Sequence, residues 1–538
     1  GGYGVRRVHG TSSRRVAPAN AARLIVLFPR GGAMQVATTL CRAQIGLHAP
    51  LVHVEVHLGS GLPFFAIVGL PAAAVRESKQ RVRAAIENCG FEFPSGRITV
   101  NLAPADLPKE GARFDLAIAL GILQASGQIA PEPGTGRDAA RRRELYGELS
   151  LSGAVKPVKG LLLAAAQASE ARHDILIPRS NVGEARFALN EEAMLAVDHL
   201  LEACAALRGE RLPPCAATAV ARLAPSALDL QDVRGQYRGK RALIVAAAGS
   251  HSLLLSGPPG AGKTMLAQRL PGLLPALTRA EALEAAKVAS ASAEGFDSRR
   301  FGVRPFRAPH HTASAHAVIG GGPHAQPGEV SLAHRGILFL DELPEFDRRV
   351  LEALREPLES GAVAVSRAQA HAHYPAAFQL IAAMNPCACG YLGDEAAECR
   401  CTAGQIERYR ARVSGPLLDR IDLHVSVARV AASELGAPAA AREGESTASA
   451  AAHVACARSR QLERAGKLNR DLTAAELGSV RLASGARALL EQAFEQLRLT
   501  ARSFHGVLRV ARTIADLEAS EWIEPPHAAE AVQLRRGL

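Results

Sequence analysis

The sequence is poor in aromatic residues, which make up 4% of its 538 positions. Stacking of bases on aromatic rings, a common way to hold single-stranded nucleic acid, therefore has little support in the composition. No apolar run approaches the roughly 20 residues that a membrane-spanning helix needs, so any membrane role would be peripheral. A secretory signal is also missing, and nine cysteines without one indicate a reducing, cytoplasmic compartment rather than a disulfide scaffold.

Acidic residues are absent from positions 1–33, which contain six arginines. The net charge of +11 therefore falls to +5 over the remaining 505 residues, and this modest excess is weak support for a nucleic-acid partner. An arginine- and serine-rich leader without acids is compatible with a transit peptide. Because the first methionine is Met34, we expect instead that residues 1–33 are an upstream or non-native leader.

A glycine-rich turn between an apolar strand and a helix is the strongest functional signal in the chain. Residues 251–255 form an apolar run of strand length, and a helical pattern follows at 265–270. The turn between them fits GxxxxGK[ST], the pattern of a phosphate-binding loop. Its residues are Gly257, Pro258, Pro259, Gly260, Ala261, Gly262, Lys263 and Thr264.

The residue types in this loop suit the chemistry of a nucleoside triphosphate. Gly260 and Gly262 allow successive backbone N–H groups to turn inward as an anion cradle. Lys263 can reach the β- and γ-phosphates, and the Thr264 hydroxyl can ligate Mg²⁺. The alternative is a glycine-rich turn before an ordinary helix, but the flanking strand and helix together favour the phosphate loop. We therefore predict that ATP and Mg²⁺ bind here.

A second apolar run, at 336–342, ends in two acids. Asp341 is predicted to hold Mg²⁺ through water, and Glu342 to polarise the attacking water. The stretch between Thr264 and Asp341 is too long for a simple helix–strand–helix connection, so we predict an insertion there. The insertion includes a segment with two adjacent histidines at 304–314 and a glycine-rich turn at 320–322.

Two further strands are predicted at 363–366 and 377–383. A hairpin associated with them has basic and histidine side chains, which are either solvated or directed to nucleic acid in a pore, and the sequence leaves both open. These side chains are Arg367, His371 and His373. The second strand is followed by Asn385, at the position of a polar sensor that orients the attacking water.

Four cysteines then fall within fifteen positions as two CxC pairs: Cys387, Cys389, Cys399 and Cys401. Four thiolates can close a tetrahedral Zn²⁺ site of the structural type. The spacing differs from the usual CxxC knuckle, and free reduced thiols in a loop are the alternative. The sequence leaves both open.

Arginines near the end of the chain are candidates for catalysis. Arg420 ends a short helix before a predicted edge strand, which suits an arginine finger that enters a neighbouring subunit's site. The alternative is a surface ion pair with Asp419 or Asp422. On a helix of the C-terminal region, Arg509 is placed as a second sensor arginine that faces the γ-phosphate, and Arg502 is the competing candidate.

The front of the chain alternates strand and helix patterns. We predict strands at 51–58, 64–68, 97–102 and 174–177 and helices at 72–88, 114–124 and 160–169. The turn that begins at Lys109, with the later stretch VKPVKGLLLAAAQA, resembles the proteolytic domain of Lon. That family uses a serine–lysine dyad, but here no serine follows the turn, where Arg113 stands, and Leu162 occupies the lysine's place. The resemblance therefore implies the fold and argues against peptidase activity.

Six motifs together carry a resemblance that extends from Met34 to the C-terminus. They are GPPGAGKT, RPFRAPHHTAS, GILFLDELPEF, MNPCACG, SGPLLDRIDLH and LRVARTIADL. With the Lon-like front end, they resemble the ComM/YifB family of magnesium-chelatase-like AAA+ ATPases. The resemblance implies a homohexameric ring that hydrolyses ATP and moves DNA, single-stranded and branched. In the competence-protein members this drives branch migration of recombination intermediates during natural transformation.

The predicted fold class is α/β, with an AAA+ P-loop NTPase core, a C-terminal helical lid, and a degenerate Lon-protease-like domain in front. We divide the chain into a leader (1–33), the Lon-like domain (34–205), a linker (206–229), the AAA+ core (230–430) and the lid (431–538). The predicted function is a DNA helicase or branch-migration motor. The alternative is a chelatase- or chaperone-like ATPase that remodels a protein partner without DNA.

Overall fold

The protein is described here by a computed structural model. It describes residues 36–130, 142–213, 228–322, 325–367, 370–394, 397–430 and 444–536. The predicted leader and much of the predicted linker lie outside these ranges, as do the side chains of residues 366–371. No helix within the described ranges is long and apolar enough to cross a membrane.

The front of the chain folds around a seven-stranded mixed sheet with the strand order β3-β4-β2-β1-β5-β8-β9. Its strands are β1 (Val36–Arg42), β2 (Leu51–Gly59), β3 (Phe64–Val68), β4 (Arg97–Ala103), β5 (Arg143–Leu145), β8 (Asp174–Pro178) and β9 (Met194–Val197). A short hairpin of β6 (Glu148–Leu149) and β7 (Val155–Lys156) lies outside the sheet. Helices α1 (Ala73–Asn88), α2 (Asp115–Ala125), α3 (Leu161–Ala171), α4 (Val182–Ala185) and α5 (Leu200–Leu207) accompany these strands.

The strand and helix patterns explain most of this domain. In β2, Val52, Val54 and Val56 are fully buried, whereas the residues between them are partly exposed, as the alternation predicts. Strand β1 and strand β9 were not predicted from the sequence. The last four residues of β1 are buried in succession, and β9 has only four residues, so neither strand shows a sustained alternation of apolar and polar residues.

The second sheet is parallel, with the order β11-β14-β17-β10-β18. Its strands are β10 (Leu253–Ser256), β11 (Phe306–Arg307), β14 (Ile337–Leu340), β17 (Gln379–Met384) and β18 (Leu423–Ser426). Strand β10 lies between β17 and β18, and Leu253 is level with Ile381 and Leu423. The prediction of an edge strand after Arg420 is confirmed, because β18 ends the order.

Helices and two hairpins surround this sheet. The helices are α6 (Tyr237–Gly249), α7 (Lys263–Ala267), α8 (Leu270–Leu273), α9 (Arg279–Ser290), α10 (Ala315–Ile319), α11 (Glu329–Leu332), α12 (Arg348–Ala353), α13 (Arg355–Ser360), α14 (Ala403–Arg410) and α15 (Gly415–Leu418). One hairpin pairs β12 (Gly320–Gly321) with β13 (Gln326–Pro327), and the other pairs β15 (Ala362–Arg367) with β16 (Ala370–Pro375). The predicted insertion before Asp341 is therefore present, and it contains α9, α10, α11 and the first hairpin.

Several predicted boundaries in this region were wrong. The sequence pattern ahead of the phosphate loop predicts a helix at 241–249, but α6 begins four residues earlier, because the Lys240 amide already bonds the Gln236 carbonyl. The helix predicted at 265–270 is two short helices, because Pro271 has no amide hydrogen to continue the first one. The strand predicted at 336–342 ends at Leu340, which leaves both acids beyond the strand.

The C-terminal region is helical, as predicted. It contains α16 (Thr447–Ala465), α17 (Ala474–Gly478), α18 (Ser484–Gln496), α19 (Ala501–Leu517) and α20 (Pro525–Gln533). The low-complexity composition of residues 430–452 predicts a flexible segment, but helix α16 begins inside this stretch, at Thr447. The Ser446 hydroxyl accepts a hydrogen bond from the Ser449 amide, which is an N-cap that the composition conceals.

The C-terminal helices pack behind the second sheet. Arg241 of α6 donates to Glu530 of α20 at 2.8 Å, and Gln461 of α16 donates to the Ala248 carbonyl. His251, which is fully buried before β10, lies 2.7 Å from the Thr513 hydroxyl of α19. These contacts fix the helical region at the amino ends of the strands.

The front domain contacts the second sheet's insertion and one of its hairpins. Phe187 stacks on Phe301 with 4.0 Å between ring centroids, and Phe296 meets Phe187 edge-on. Close approach also occurs at Gly46, where an added Cβ would lie 2.9 Å from the Cβ of Ala372 in β16. The two sheets are therefore parts of one packed body.

Candidate functional site

The phosphate loop follows β10 and has the backbone shape that the motif requires. Gly260 and Gly262 have φ of +79° and +91°, in the left-handed region that glycine favours. An added Cβ at either position would meet open space, so backbone conformation and not crowding selects glycine. The space in front of the loop is open for an anion.

Lys263 is folded back on the loop. Its ammonium donates to the carbonyls of Gly257 and Pro258 at 2.7 and 3.0 Å, and to the Asn385 side-chain oxygen at 3.1 Å. Burial lowers the pKa of this lysine below its usual range. The predicted sensor Asn385 is thus brought to the phosphate loop, where it holds the lysine.

Thr264 and Asp341 also meet. The threonine hydroxyl donates to the Asp341 carboxylate at 2.8 Å. A hydroxyl and a carboxylate in this arrangement are the oxygen ligands that Mg²⁺ takes in P-loop sites. The residues therefore fit the predicted magnesium site, with Thr264 and Asp341 as the protein ligands.

Glu342 has a partner that the sequence analysis missed. The residue has φ of +52°, and its carboxylate lies 3.0 Å from Nδ1 of His311. His311 in turn stacks on His310, with ring centroids 4.1 Å apart. Both histidines belong to RPFRAPHHTAS, so the paired histidines in that motif were the available signal. The contact with His311 fixes the position of the Glu342 carboxylate next to Asp341.

Gln236 supports the loop from the other side. Its side-chain amide donates to the carbonyls of Ala261 and Ala428. The residue precedes α6 with φ of +53°. From the sequence, the resemblance to magnesium-chelatase-type AAA+ modules implies that residues 232–236 lie against the adenine, and this stays a prediction. The contact puts Gln236 beside the loop.

The arginines predicted as a finger and a second sensor lie elsewhere, at the amino ends of the strands. They face a cavity of about 880 Å³ that is lined by seven arginines, among them Arg420, Arg502 and Arg509. Arg509 donates twice to the Leu472 carbonyl. Strand β10 has four residues, so the cavity and the phosphate loop are separated by about 13 Å of strand.

Arg420 pairs with Glu359 at 2.6 Å, and Arg502 contacts the same carboxylate. The alternative prediction, an ion pair of Arg420 with Asp419 or Asp422, was wrong. Asp419 accepts from Ser503, and Asp422 lies 3.3 Å from His251 and is occupied there. Burial, and then the neighbouring Arg502, lower the pKa of Arg420.

The four cysteines form one cluster, with all their sulfur atoms within 4.8 Å of one another. Cys387 and Cys389 are 3.3 Å apart, and Cys399 lies 3.7 and 3.6 Å from them. A tetrahedral Zn²⁺ with Zn–S bonds of about 2.3 Å needs sulfur–sulfur distances of about 3.8 Å. Backbone hydrogen bonds at Tyr391 and Arg400 lower the pKa of Cys389 to about 6, which favours the thiolate. This cluster could therefore bind zinc.

The two residues at the predicted dyad positions of the front domain are both buried. Arg113 is 8% exposed and donates to Gln44 and to the Lys159 carbonyl. Leu162 is fully buried. A guanidinium and an apolar side chain offer no nucleophile, and the absence of peptidase activity stays a prediction.

Three features define an ATPase of the AAA+ class. They are a phosphate loop at the end of a central parallel strand, an acid pair and an asparagine at neighbouring strand ends, and a helical domain behind the sheet. Three models of the magnesium-chelatase subunit ChlI match the chain. The models described as "Subunit ChlI of Mg-chelatase", "Magnesium chelatase, subunit ChlI" and "subunit ChlI C-terminal" cover residues 54–181, 229–435 and 444–535.

The relatives extend over nearly the whole chain. It is 45% identical over 511 residues to competence protein ComM of Haemophilus influenzae, which covers 93% of this chain and 98% of that protein. It is 46% identical over 498 residues to YifB of Escherichia coli, with 92% and 96% covered. The magnesium-chelatase 38 kDa subunit of Rhodobacter capsulatus is 28% identical over 197 residues, with 31% and 55% covered. The chain therefore belongs to the ComM/YifB family of magnesium-chelatase-like AAA+ ATPases.

Proposed function

We propose that this protein is an ATP-driven DNA motor that works as a homohexameric ring. The observation that carries the proposal is the division of its catalytic groups within one chain. Lys263, Thr264, Asp341 and Asn385 surround the phosphate loop, whereas Arg420 and Arg509 face a cavity at the opposite ends of the strands. One chain thus offers two different halves of a site, and a head-to-tail ring would join them.

The charge of the arginine cavity supports this arrangement. Seven arginines and five acids line it, and burial together with the neighbouring Arg502 lowers the pKa of Arg420. An anionic group would relieve this repulsion. The γ-phosphate of an ATP bound to the next subunit is such a group, and an arginine supplied there is worth on the order of 10³–10⁵ in rate.

Hydrolysis would then divide between two subunits. In one, Lys263 binds the phosphates, Thr264 and Asp341 hold Mg²⁺, and Glu342 and Asn385 orient and polarise the attacking water. In its neighbour, Arg420 supplies the finger, and Arg509, with Arg502 as the competing candidate, supplies the second sensor. Mg²⁺ neutralises phosphate charge when it is bound. Zinc at the four cysteines would be structural, since four thiolates leave no open position.

Two observations support DNA as the substrate. The relative that is 45% identical is a competence protein, and natural transformation is a process of DNA uptake and recombination. The hairpin of β15 and β16 directly precedes β17, the strand that Asn385 follows, so a movement of the hairpin would be transmitted to the sensor. The predicted contacts of Arg367 and His371 lie outside the described side chains, and His373 is exposed on β16. We propose branch migration or helicase activity in recombination.

The test is the ATPase rate of the purified protein with no DNA and with single-stranded, duplex and four-way-junction DNA. A DNA motor should be stimulated, most strongly by the structure that it moves, and the stimulation should fall steeply as salt rises. Glu342→Gln provides the background rate. If none of the three DNA structures changes the ATPase rate at low salt, the proposal is contradicted.

A second candidate is a chelatase- or chaperone-like ATPase that remodels a protein partner. The observation in its favour is that all three matching models describe a magnesium-chelatase subunit. This candidate predicts no response to DNA and stimulation by a protein fraction. The same ATPase assay therefore separates the two.

A further inference from the structure

The cysteine cluster is attached to the nucleotide pocket through a short segment of chain. Cys387 follows two residues after Asn385, which bonds Lys263 at 3.1 Å. Cys387 is fully buried, and the other three cysteines are partly exposed. A metal bound to these thiolates would therefore be anchored next to the group that holds the phosphate-loop lysine.

A second contact joins the cluster to the phosphate loop itself. Gly390, directly after Cys389, has φ of +88°. An added Cβ at this position would lie 2.9 Å from Cδ of Pro259, a distance that atoms in real structures do not adopt. The cysteine segment thus packs its backbone on the proline of the phosphate loop, and only a glycine permits the approach.

The segment after the cluster holds Asn385 from its other side. The Tyr409 side chain on α14 lies against the backbone of Asn385, and Arg410 donates to the Pro386 carbonyl. Helix α14 begins directly after Cys401, with Thr402 as its N-cap. The cluster therefore connects two stretches of chain that both contact the sensor.

We propose that Zn²⁺ bound by Cys387, Cys389, Cys399 and Cys401 acts as a clasp that holds the phosphate loop and Asn385 in their ATP-binding positions. The inference rests on the proposed ATPase function and adds a dependence on the metal to it, because loss of the metal lowers ATP affinity. Without the metal, the four thiols, whose sulfur atoms lie within 4.8 Å of one another, have no metal–sulfur bonds that close the segment. The segment that carries Gly390 and Asn385 then becomes free to move away from Pro259.

Variants of the full chain separate the metal from the contact. Cys399→Ser removes one ligand and should lower both the zinc content and the ATP affinity. Gly390→Ala leaves all four thiols and should retain zinc, but its methyl group displaces Pro259 and should weaken ATP binding about tenfold. Gly393→Ala is the matched control, because Gly393 has a similar φ of +77° and open space around it.

Zinc per chain is measured by plasma mass spectrometry, and affinity by the anisotropy of a fluorescent ATP analogue with Mg²⁺. The expected result is one zinc in wild type, Gly390→Ala and Gly393→Ala, with weakened binding in Gly390→Ala alone among these three. No zinc in a wild type that binds ATP overturns the metal site and leaves the ATPase proposal intact. If Gly390→Ala contains zinc and binds the ATP analogue with wild-type affinity, the clasp is overturned. A wild type that binds zinc but no ATP overturns the proposed function and the clasp with it.

Discussion

Mixed rings of two inactive variants, Lys263→Ala and Arg420→Ala, should hydrolyse ATP. Lys263→Ala lacks the lysine of the phosphate loop but retains Arg420. Arg420→Ala lacks this arginine but retains an intact phosphate loop. The two groups lie at opposite ends of β10, about 13 Å of strand apart, so a boundary between unlike variants restores a whole site.

The expected magnitude follows from counting boundaries. In a random 1:1 mixture, about a quarter of head-to-tail boundaries place an intact loop against an intact arginine. Each variant alone should lose on the order of 10³-fold or more, because it lacks a group essential for phosphate binding or transition-state charge. The mixture should therefore recover roughly a quarter of the wild-type rate, at least about 250-fold above either variant.

The assay measures steady-state phosphate release after the variants are mixed at several ratios, unfolded subunits having been removed by size exclusion. Activity should pass through a maximum near the 1:1 ratio and vanish at both ends. A double variant that carries both substitutions is the control, since it cannot restore any boundary. Rates equal to the weighted sum of the two variants at every ratio would refute a site that is shared between subunits.

Three other substitutions test separate parts of the site. Glu342→Gln should bind ATP with wild-type affinity but stop turnover, as shown by nucleotide binding beside phosphate release; turnover at the wild-type rate would remove Glu342 from the mechanism. His311→Ala should raise the ATPase rate without DNA by about tenfold, because a hydrogen bond to a charged group, worth about 1.5–3 kcal/mol, no longer restrains Glu342; His311→Asn, which can still donate, should stay near wild type, and equal rates in both variants would contradict the restraint. Burial lowers the pKa of His424 from 6.5 to about 3. As pH falls below 6.5, this histidine therefore binds a proton in the unfolded chain but not in the folded chain. The free energy of unfolding should then drop by up to about 1.4 kcal/mol per pH unit. Urea unfolding between pH 7 and 4 should show a flatter dependence in His424→Gln and an unchanged one in the exposed-residue control His57→Gln; parallel curves for wild type and His424→Gln would exclude this histidine.

The residues around the phosphates could be predicted because their chemistry is local in the sequence. The loop 257–264 follows an apolar run, and Asp341 and Asn385 stand where two other apolar runs stop, so all three could be predicted. Parallel strands then bring those ends to one edge, as the contacts of Lys263 with Asn385 and of Thr264 with Asp341 demonstrate.

The partners of Arg420 and Glu342 could not be predicted, because they come from distant segments. Glu359 lies at the end of α13, and His311 belongs to the insertion. Nothing in the local pattern around Arg420 distinguishes Glu359 from the nearer Asp419. Long-range packing selects such partners, and sequence spacing carries no information about it.

Strand β1 was missed for a different reason. The last four residues of β1 are buried in succession, so the strand lacks the sustained alternation that reveals a half-exposed strand. The start of α16 was missed because alanine- and serine-rich composition suits both a flexible segment and a capped helix. Composition alone does not separate those states.

The close approach of Gly46 to Ala372 gives the front domain a mechanical part in any stroke of the hairpin. If the hairpin moves toward that loop during the proposed ATP-driven cycle, the front domain would have to move with it or limit its travel. The front domain would then set the length of each step of the proposed motor.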